Sequence, residues 1–224
     1  MNYTFQFSVV FEQLPYLLAG AIVTLEVAFL SFWLGAVIGL FGAVAKLRGG
    51  RLLRGLVGAY VIFFTNTPAL VQIFFLFYAL PDVGIILDPF TAVVIGMTVN
   101  TGAYLTEILR GGILSVRRAE LESAEVLGMS HAQTLRYVIL PHIAKTLYAP
   151  LSNFFIWLVL GSSMAAIFGV EELTGRAINI STSNLRTIET FSVVAVIYIA
   201  LTIIASAALA LVGRWAFRVT ARIF

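Results

Sequence analysis

Catalysis or metal binding would have to start from histidine, cysteine, lysine and acidic side chains, and this chain offers few. It has no cysteine, which excludes a thiol nucleophile, a thiolate metal site and a disulfide framework. His131 and His142 are its two histidines, and no spacing of acidic residues makes a ligand cluster with them. Both lysines, Lys46 and Lys145, follow alanine, so the Gly-Lys-Ser/Thr ending of a phosphate-binding loop is absent. No serine stands in a nucleophile elbow. The chain is therefore expected to be non-catalytic, with no catalytic residue, no metal ligand and no cofactor of its own.

The polar side chains gather in one stretch, from about Arg110 to Thr146. It carries Arg117, Arg118, Glu120, Glu122, Glu125, His131, Arg136, His142 and Lys145 in a helix-compatible run. Its order is Glu122-Ser123-Ala124, three residues, Gly128, nine residues, then Val138-Ile139-Leu140-Pro141. Glu120 to Met129 is expected to form a short helix. Gly128 would permit a sharp turn through its permissive backbone, and a side chain there would obstruct that turn. Pro141 is expected to end or bend the segment that follows. The plainer reading of such a stretch is an amphipathic interfacial helix with solvated charges.

The elements that must position this stretch are membrane spans. The chain has 224 residues, 60% of them hydrophobic and 11% charged, with a mean hydropathy of +1.00; a soluble domain carries about 25% charged residues. Five apolar stretches can cross a bilayer, which takes about 20 residues. They run from about Leu14 to Ala45, Leu56 to Leu80, Phe90 to Thr106, Leu147 to Gly169 and Phe191 to Gly213. All are expected to be helices, because an open strand in hydrocarbon is unsatisfied. With the N-terminus outside, 12 of the 14 basic residues fall on the inner side, Arg218 and Arg222 among them, and only Arg176 and Arg186 outside. That bias orients the chain with its C-terminus, Phe224, in the cytoplasm. It also explains the net charge of +3 without nucleic acid. The first ten residues do not read as a cleaved signal peptide. The outer loops, about Pro81 to Pro89 and Val170 to Thr190, are too short to hold a ligand-binding domain.

The spacing in the polar loop resembles the EAA motif of permease subunits in bacterial ABC importers, with Ser123 and Val138 as conservative departures. The likeness runs along the chain through Thr24-Leu25-Glu26, Thr67-Pro68, Leu70-Val71-Gln72, Gly102-Ala103-Tyr104, Glu107, Arg110-Gly111-Gly112-Ile113, Ser115-Val116, Leu127-Gly128-Met129-Ser130 and Glu172-Leu173. Together these resemble the polar amino-acid group of that family. The resemblance implies an all-α integral membrane protein with the type I ABC importer permease fold: one permease domain, residues 1–224, in the bacterial inner membrane, with a coupling loop at about 110–146. It implies two ATP-binding subunits that hold ATP and Mg, a second permease subunit, and an extracytoplasmic solute-binding protein. Glu122, Ser123, Ala124, Gly128 and Pro141 would be the ATPase-coupling residues.

The resemblance also marks a departure. Permeases of this group commonly carry an arginine in a Phe-Arg-Gly-Thr-Pro stretch, and Lys-Asp before a Thr-Ser pair. Here the stretches read Phe64-Thr65-Asn66-Thr67-Pro68 and Leu160-Gly161-Ser162-Ser163. The three charges are gone; a homologous heterodimer partner is expected to supply them, and the rival reading is a homodimer that carries a less charged solute. Candidate path residues are Thr65, Asn66, Asn100, Glu107, Ser162 and Ser163, with Gln72 and Asn153 as further polar positions; all of these can equally join helices by hydrogen bonds. Glu107 has a plainer role, an i,i+3 pair with Arg110. Glu26 lies deeper, near Thr24 and Ser31, where a hydrogen bond to another span would satisfy it. The competing readings are a self-contained secondary transporter or channel, and a membrane scaffold that recruits a cytoplasmic partner.

Overall fold

The computed structural model describes residues 4–217; Met1 to Tyr3, Arg218, Arg222 and Phe224 lie outside the described residues. Every element among the described residues is helical. In chain order they are α1 (Phe7–Phe11), α2 (Leu14–Arg48), α3 (Arg51–Thr65), α4 (Ala69–Phe74), α5 (Pro89–Leu114), α6 (Arg118–Val126), α7 (His131–Thr134), α8 (Leu140–Gly161), α9 (Leu173–Asn184) and α10 (Thr187–Phe217). A π-helical turn, Phe75–Ala79, and a 3-10 turn, Leu80–Val83, extend α4. A π-helical turn, Leu135–Ile139, joins α7 to α8, and a 3-10 turn, Ser162–Phe168, extends α8.

Four runs are long and apolar enough to cross a membrane: α2, α5, His131–Phe168 and Thr187–Trp215. The bent pair Arg51–Thr65 and Ala69–Val83 makes a fifth if it counts as one span. The span expected over Leu56 to Leu80 is thus not one straight helix. It breaks at Asn66-Thr67-Pro68, because proline has no N–H to continue the ladder and pushes the residue before it out of the α region. The fourth span starts earlier than its apolar pattern suggests, since His131 to Ile139 already belongs to the same helical run. The stretch read as an outer loop from Val170 to Thr190 holds α9 instead.

The chain divides into two compact units, each drawn from three stretches. One takes the described parts of Met1–Trp33 with Pro68–Thr98 and Phe155–Ala205. Its core joins Val10, Leu17 and Ala21 to Leu173, Ala177 and Ile180 of α9 and to Val193, Val194 and Ile197 of α10. Phe74, Phe77 and Tyr78 form an aromatic cluster around Phe168.

The other unit takes Leu34–Thr67, Val99–Phe154 and the described part of Ser206–Phe224. Here α2 lies directly against α5. Gly35, Gly39 and Gly42 recur at intervals of four and three on one face of α2, and a Cβ on them would stand 2.5, 2.7 and 2.3 Å from Thr101, Leu105 and Thr106. Helices in lipid gain little from hydrophobic association, so close backbone approach through small residues carries the packing. Gly42→Leu is expected to lower the thermal midpoint of the detergent-purified protein by overpacking worth about 1–3 kcal/mol. Gly58→Leu, where a Cβ meets nothing within 4 Å, should leave it unchanged.

Candidate functional site

The polar loop folds from α6 to α7 with little slack. α6 starts at Arg118 and ends at Val126, slightly earlier at both ends than the expected Glu120 to Met129. Its end is a Schellman closure: Met129 N donates to Ala124 O at 3.0 Å and Gly128 N to Glu125 O at 2.9 Å. Gly128 sits at φ 68°, the left-handed region that costs a Cβ-bearing residue about 1–2 kcal/mol. A Cβ at 128 would meet nothing within 4 Å. The position therefore needs glycine for its backbone angle, and the obstruction expected from sequence is absent. Ser130 then opens α7 with a capping box: its side chain accepts from Gln133 N, and Gln133 Oε1 accepts from Ser130 N.

On α6, Ala124 is 2% exposed, whereas Glu122 is exposed and pairs with Arg118 at 3.1 Å. Ser123 is exposed, and its hydroxyl bonds back to Ala119 O at 2.7 Å. Val126 and Leu127 are 87% and 78% exposed, which leaves an apolar tip beside Glu122. Pro141 neither ends nor breaks the following segment; it is the second residue of α8, directly after the π turn. Widening the helix ahead of a proline relieves the clash of its ring with the preceding turn.

One contact in this loop was missed from sequence. His142 Nδ1 lies 3.3 Å from Glu120 Oε2, and its Nε2 lies 3.2 Å from Ser115 Oγ. Ser115 Oγ also donates to Gly112 O at 2.7 Å. The three residues tie the start of α6 to the end of α5 and the start of α8. Nothing but the fold brings them together.

The candidate path residues turn out to be engaged. Thr65 Oγ1 donates to Val61 O at 2.7 Å, Asn66 Nδ2 to Ile62 O at 2.7 Å, and Thr67 Oγ1 to Phe63 O. From α5, Asn100 Nδ2 donates to Phe64 O at 2.8 Å and Tyr104 OH to Thr65 O at 3.2 Å. Five consecutive carbonyls at the end of α3 are each met by a side chain. Glu107 lies seven residues beyond Asn100, about 10 Å along the helix. It pairs with Lys46 at 2.5 Å as well as with Arg110 at 2.7 Å. Ser162 and Ser163 belong to the other unit. Ser162 is buried and donates to Val159 O at 2.8 Å; Ser163 is half-buried.

Glu26 does not meet Thr24. It is exposed on α2, on a face shared with Ile22, Phe29 and Trp33. Thr24 is spent on Glu172, a buried carboxylate that sequence reading noted only as part of a motif. Glu172 is 0% exposed and caps α9. Its Oε1 accepts from Gly175 N at 2.8 Å. Its Oε2 accepts from Thr174 N at 2.9 Å, Tyr198 OH at 3.0 Å and Thr24 Oγ1 at 3.1 Å. Burial pushes the Glu172 carboxyl above its ordinary value, against the pull of these four donors. An acidic residue at a helix start is a cap signal, but its burial is a tertiary property.

The chain thus combines apolar helices long enough to cross a membrane with one elaborated polar loop that presents exposed side chains. The chain belongs to the family described as binding-protein-dependent transport system inner membrane component, which matches residues 35–218. It is a permease subunit of the ABC type, and this sets aside the self-contained transporter or channel and the scaffold. It is 36% identical over 204 residues to the glutamine transport system permease protein GlnP of Escherichia coli (strain K12), covering 90% of this chain and 93% of that protein. It is 40% identical over 171 residues to the L-cystine transport system permease protein TcyB of Bacillus subtilis (strain 168), covering 76% and 73%. The crystal structure of an amino acid ABC transporter with histidines superposes with a TM-score of 0.88 at 32% identity, over 95% of this chain and 100% of that one. The type I importer fold expected from the motif is therefore present.

Two outcomes follow from the geometry. Gly128→Asn, which tolerates the left-handed region, should keep the thermal midpoint near that of the parent, while Gly128→Val should lower it by a destabilisation of at least the about 1–2 kcal/mol that this region costs a Cβ-bearing residue. Glu172→Ala strands buried donors and should cost about 2–3 kcal/mol. The raised carboxyl also sets a slope. The folded state holds this proton more tightly than the unfolded state, so stability falls as pH rises from the ordinary carboxylate range through the folded value. Thermal midpoints recorded against pH should show that loss in the parent and lack it in Glu172→Gln.

Proposed function

We propose that the chain, residues 1–224 as one permease domain, forms half of the translocation path of an ATP-driven importer for polar amino acids. Its N-terminus lies outside and its C-terminus in the cytoplasm. The 12-to-2 distribution of basic residues supports this orientation. The cargo named for the relatives, glutamine and L-cystine, supports amino acids as substrates. Two ATP-binding subunits hold ATP and Mg and dock on α6. A separate solute-binding protein delivers the cargo from outside.

The observation that carries the docking role is the division of labour on α6. Ala124 and Gly128 build the element, and Glu122 with Val126 and Leu127 projects from it. The pair of Glu122 with Arg118 is exposed at both ends, and such pairs are worth under about 1 kcal/mol. Glu122 can exchange that partner for a docked subunit at little cost.

A homologous second permease completes the path. Thr65, Asn66 and Asn100 are committed to the carboxyl end of α3, and no charge stands among them to meet a zwitterion. Burying unpaired charge is expensive, so the charged wall belongs to the partner. Glu26 supports the same reading. A carboxylate on the exposed apolar face of a span is costly against lipid and is accommodated against protein.

Reconstitution of the full transporter tests the docking role. Glu122→Ala should leave the complex assembled and lower binding-protein-stimulated ATP hydrolysis and transport about tenfold, the scale of one charge-assisted contact. Stimulation equal to the parent's in an assembled complex would overturn it.

A further inference from the structure

We propose that this chain carries a binding site for one phospholipid with a primary-amine headgroup, set where α2 and α5 end and the helical run from His131 begins. Two cavities meet there. One, of about 350 Å³, is lined by aliphatic side chains such as Val44, Leu109 and Leu147. The other, of about 660 Å³, is lined on its polar side by Glu125, His131 and Thr134. Arg48, Leu135 and Ile139 line both. Apolar space thus runs into polar space, with a guanidinium at the junction.

That order is the order of a phospholipid. The smaller cavity lies among segments of membrane-crossing helices, where a dry apolar crevice is filled by acyl chain rather than water. Arg48 ends α2, within a last turn that also holds Lys46. Basic residues at the end of a span sit at headgroup level, and an arginine fork suits phosphate oxygens. The nearby cations Lys46 and Arg110 are taken up by Glu107. Among the described residues Arg48 makes no ion pair.

Glu125 decides the headgroup. A cation alone would favour an anionic lipid, but here a carboxylate lines the same polar cavity, and it too has no ion pair among the described residues. Two opposite charges in one cavity match a phosphate and an ammonium joined by a short linker. A carboxylate can only accept hydrogen bonds, so it selects a primary ammonium over a quaternary one. Glu125 and Met129 belong to the closing turn of α6. The lipid headgroup would therefore rest against the same turn that sets the direction of the loop.

Native mass spectrometry on the full-length permease tests this, after exchange into nanodiscs that contain phosphatidylethanolamine, phosphatidylglycerol and phosphatidylcholine in equal parts. One phosphatidylethanolamine should be retained in preference to both others. Arg48→Gln and Glu125→Gln should each reduce its retention about tenfold, the scale of one charge-assisted hydrogen bond. Glu125→Gln should in addition raise phosphatidylglycerol relative to phosphatidylethanolamine. Because both changed side chains line the cavity surface, folding is checked by an unaltered thermal midpoint, and Leu109→Trp, which fills the apolar part, should remove all three lipids alike. Equal retention of the three lipids by the parent overturns the site. Preference for phosphatidylglycerol that Glu125→Gln leaves untouched overturns it equally.

Discussion

At membrane depth a break in a helix strands backbone carbonyls with no water to take them, and this constraint governs the chain around Asn66-Thr67-Pro68. Proline makes the break unavoidable. Ile62 O still accepts from Asn66 N at 3.2 Å, and side-chain donors meet all five carbonyls from Val61 to Thr65. Three come from the breaking segment itself, as Thr65, Asn66 and Thr67 reach back four residues each. Those three can serve only as far as Phe63. The carbonyls of Phe64 and Thr65 require a second helix, and Asn100 and Tyr104, one turn apart on α5, supply them. The close packing of α2 on α5 through Gly35, Gly39 and Gly42 fixes the helix that carries these two donors. Small residues on one helix and polar residues on its neighbour thus serve one need, a stable non-helical segment inside the membrane.

The same accounting explains Glu172 from the other end of a helix. α9 begins in a buried setting, and the N–H groups of Thr174 and Gly175 point at the carboxylate of the residue that opens it. An ionised cap is favoured by the helix dipole, and burial opposes it. Thr24 and Tyr198 add hydroxyl donors from α2 and α10, so a cap becomes a junction of three helices. Gly175 is part of that junction, because a Cβ there would stand 2.2 Å from Val170 O. A carboxylate so fully used is a structural centre. Acidic groups available to partners are found among those the fold leaves exposed, such as Glu122 on α6 and Glu26 on α2.

Hydropathy made the spans legible, because a bilayer demands long apolar runs whatever the fold. The loop was legible through spacing. The break in the second span was signalled by Thr67-Pro68 and yet read as continuous, since an apolar window averages over three polar residues. The roles of Asn66 and Asn100 could not be read at all. An asparagine in a span looks the same whether it faces a solute or a carbonyl, and only the register of α5 against α3 decides between them. Glu107 shows a partial success. Its partner at i,i+3, Arg110, follows from helix geometry, but Lys46 is 61 residues away in sequence. Glu26 and Thr24 show the converse: two polar residues near each other in sequence lie on different faces, Glu26 exposed and Thr24 buried against Glu172.

The loop motif itself reduces to helix-end chemistry. Three residues between Ala124 and Gly128 is the separation that puts the alanine carbonyl third from the end of α6 and the glycine just beyond it, the two positions a Schellman closure requires. Ala124 is small because it is the buried residue of a short, otherwise exposed helix. Gly128 is glycine because its φ is positive. Ser130 follows at once with a capping box, so the chain leaves one helix and enters the next with only Leu127 to Ser130 between them. None of these residues needs a partner protein to explain it. Glu122 has no part in this turn: it caps nothing, is largely exposed, and its ion pair with Arg118 is a weak surface contact. The motif therefore separates into residues that make a stiff turn and a residue that the turn holds out. A stiff turn with a projecting carboxylate is what a neighbouring subunit would need in order to pull on the spans.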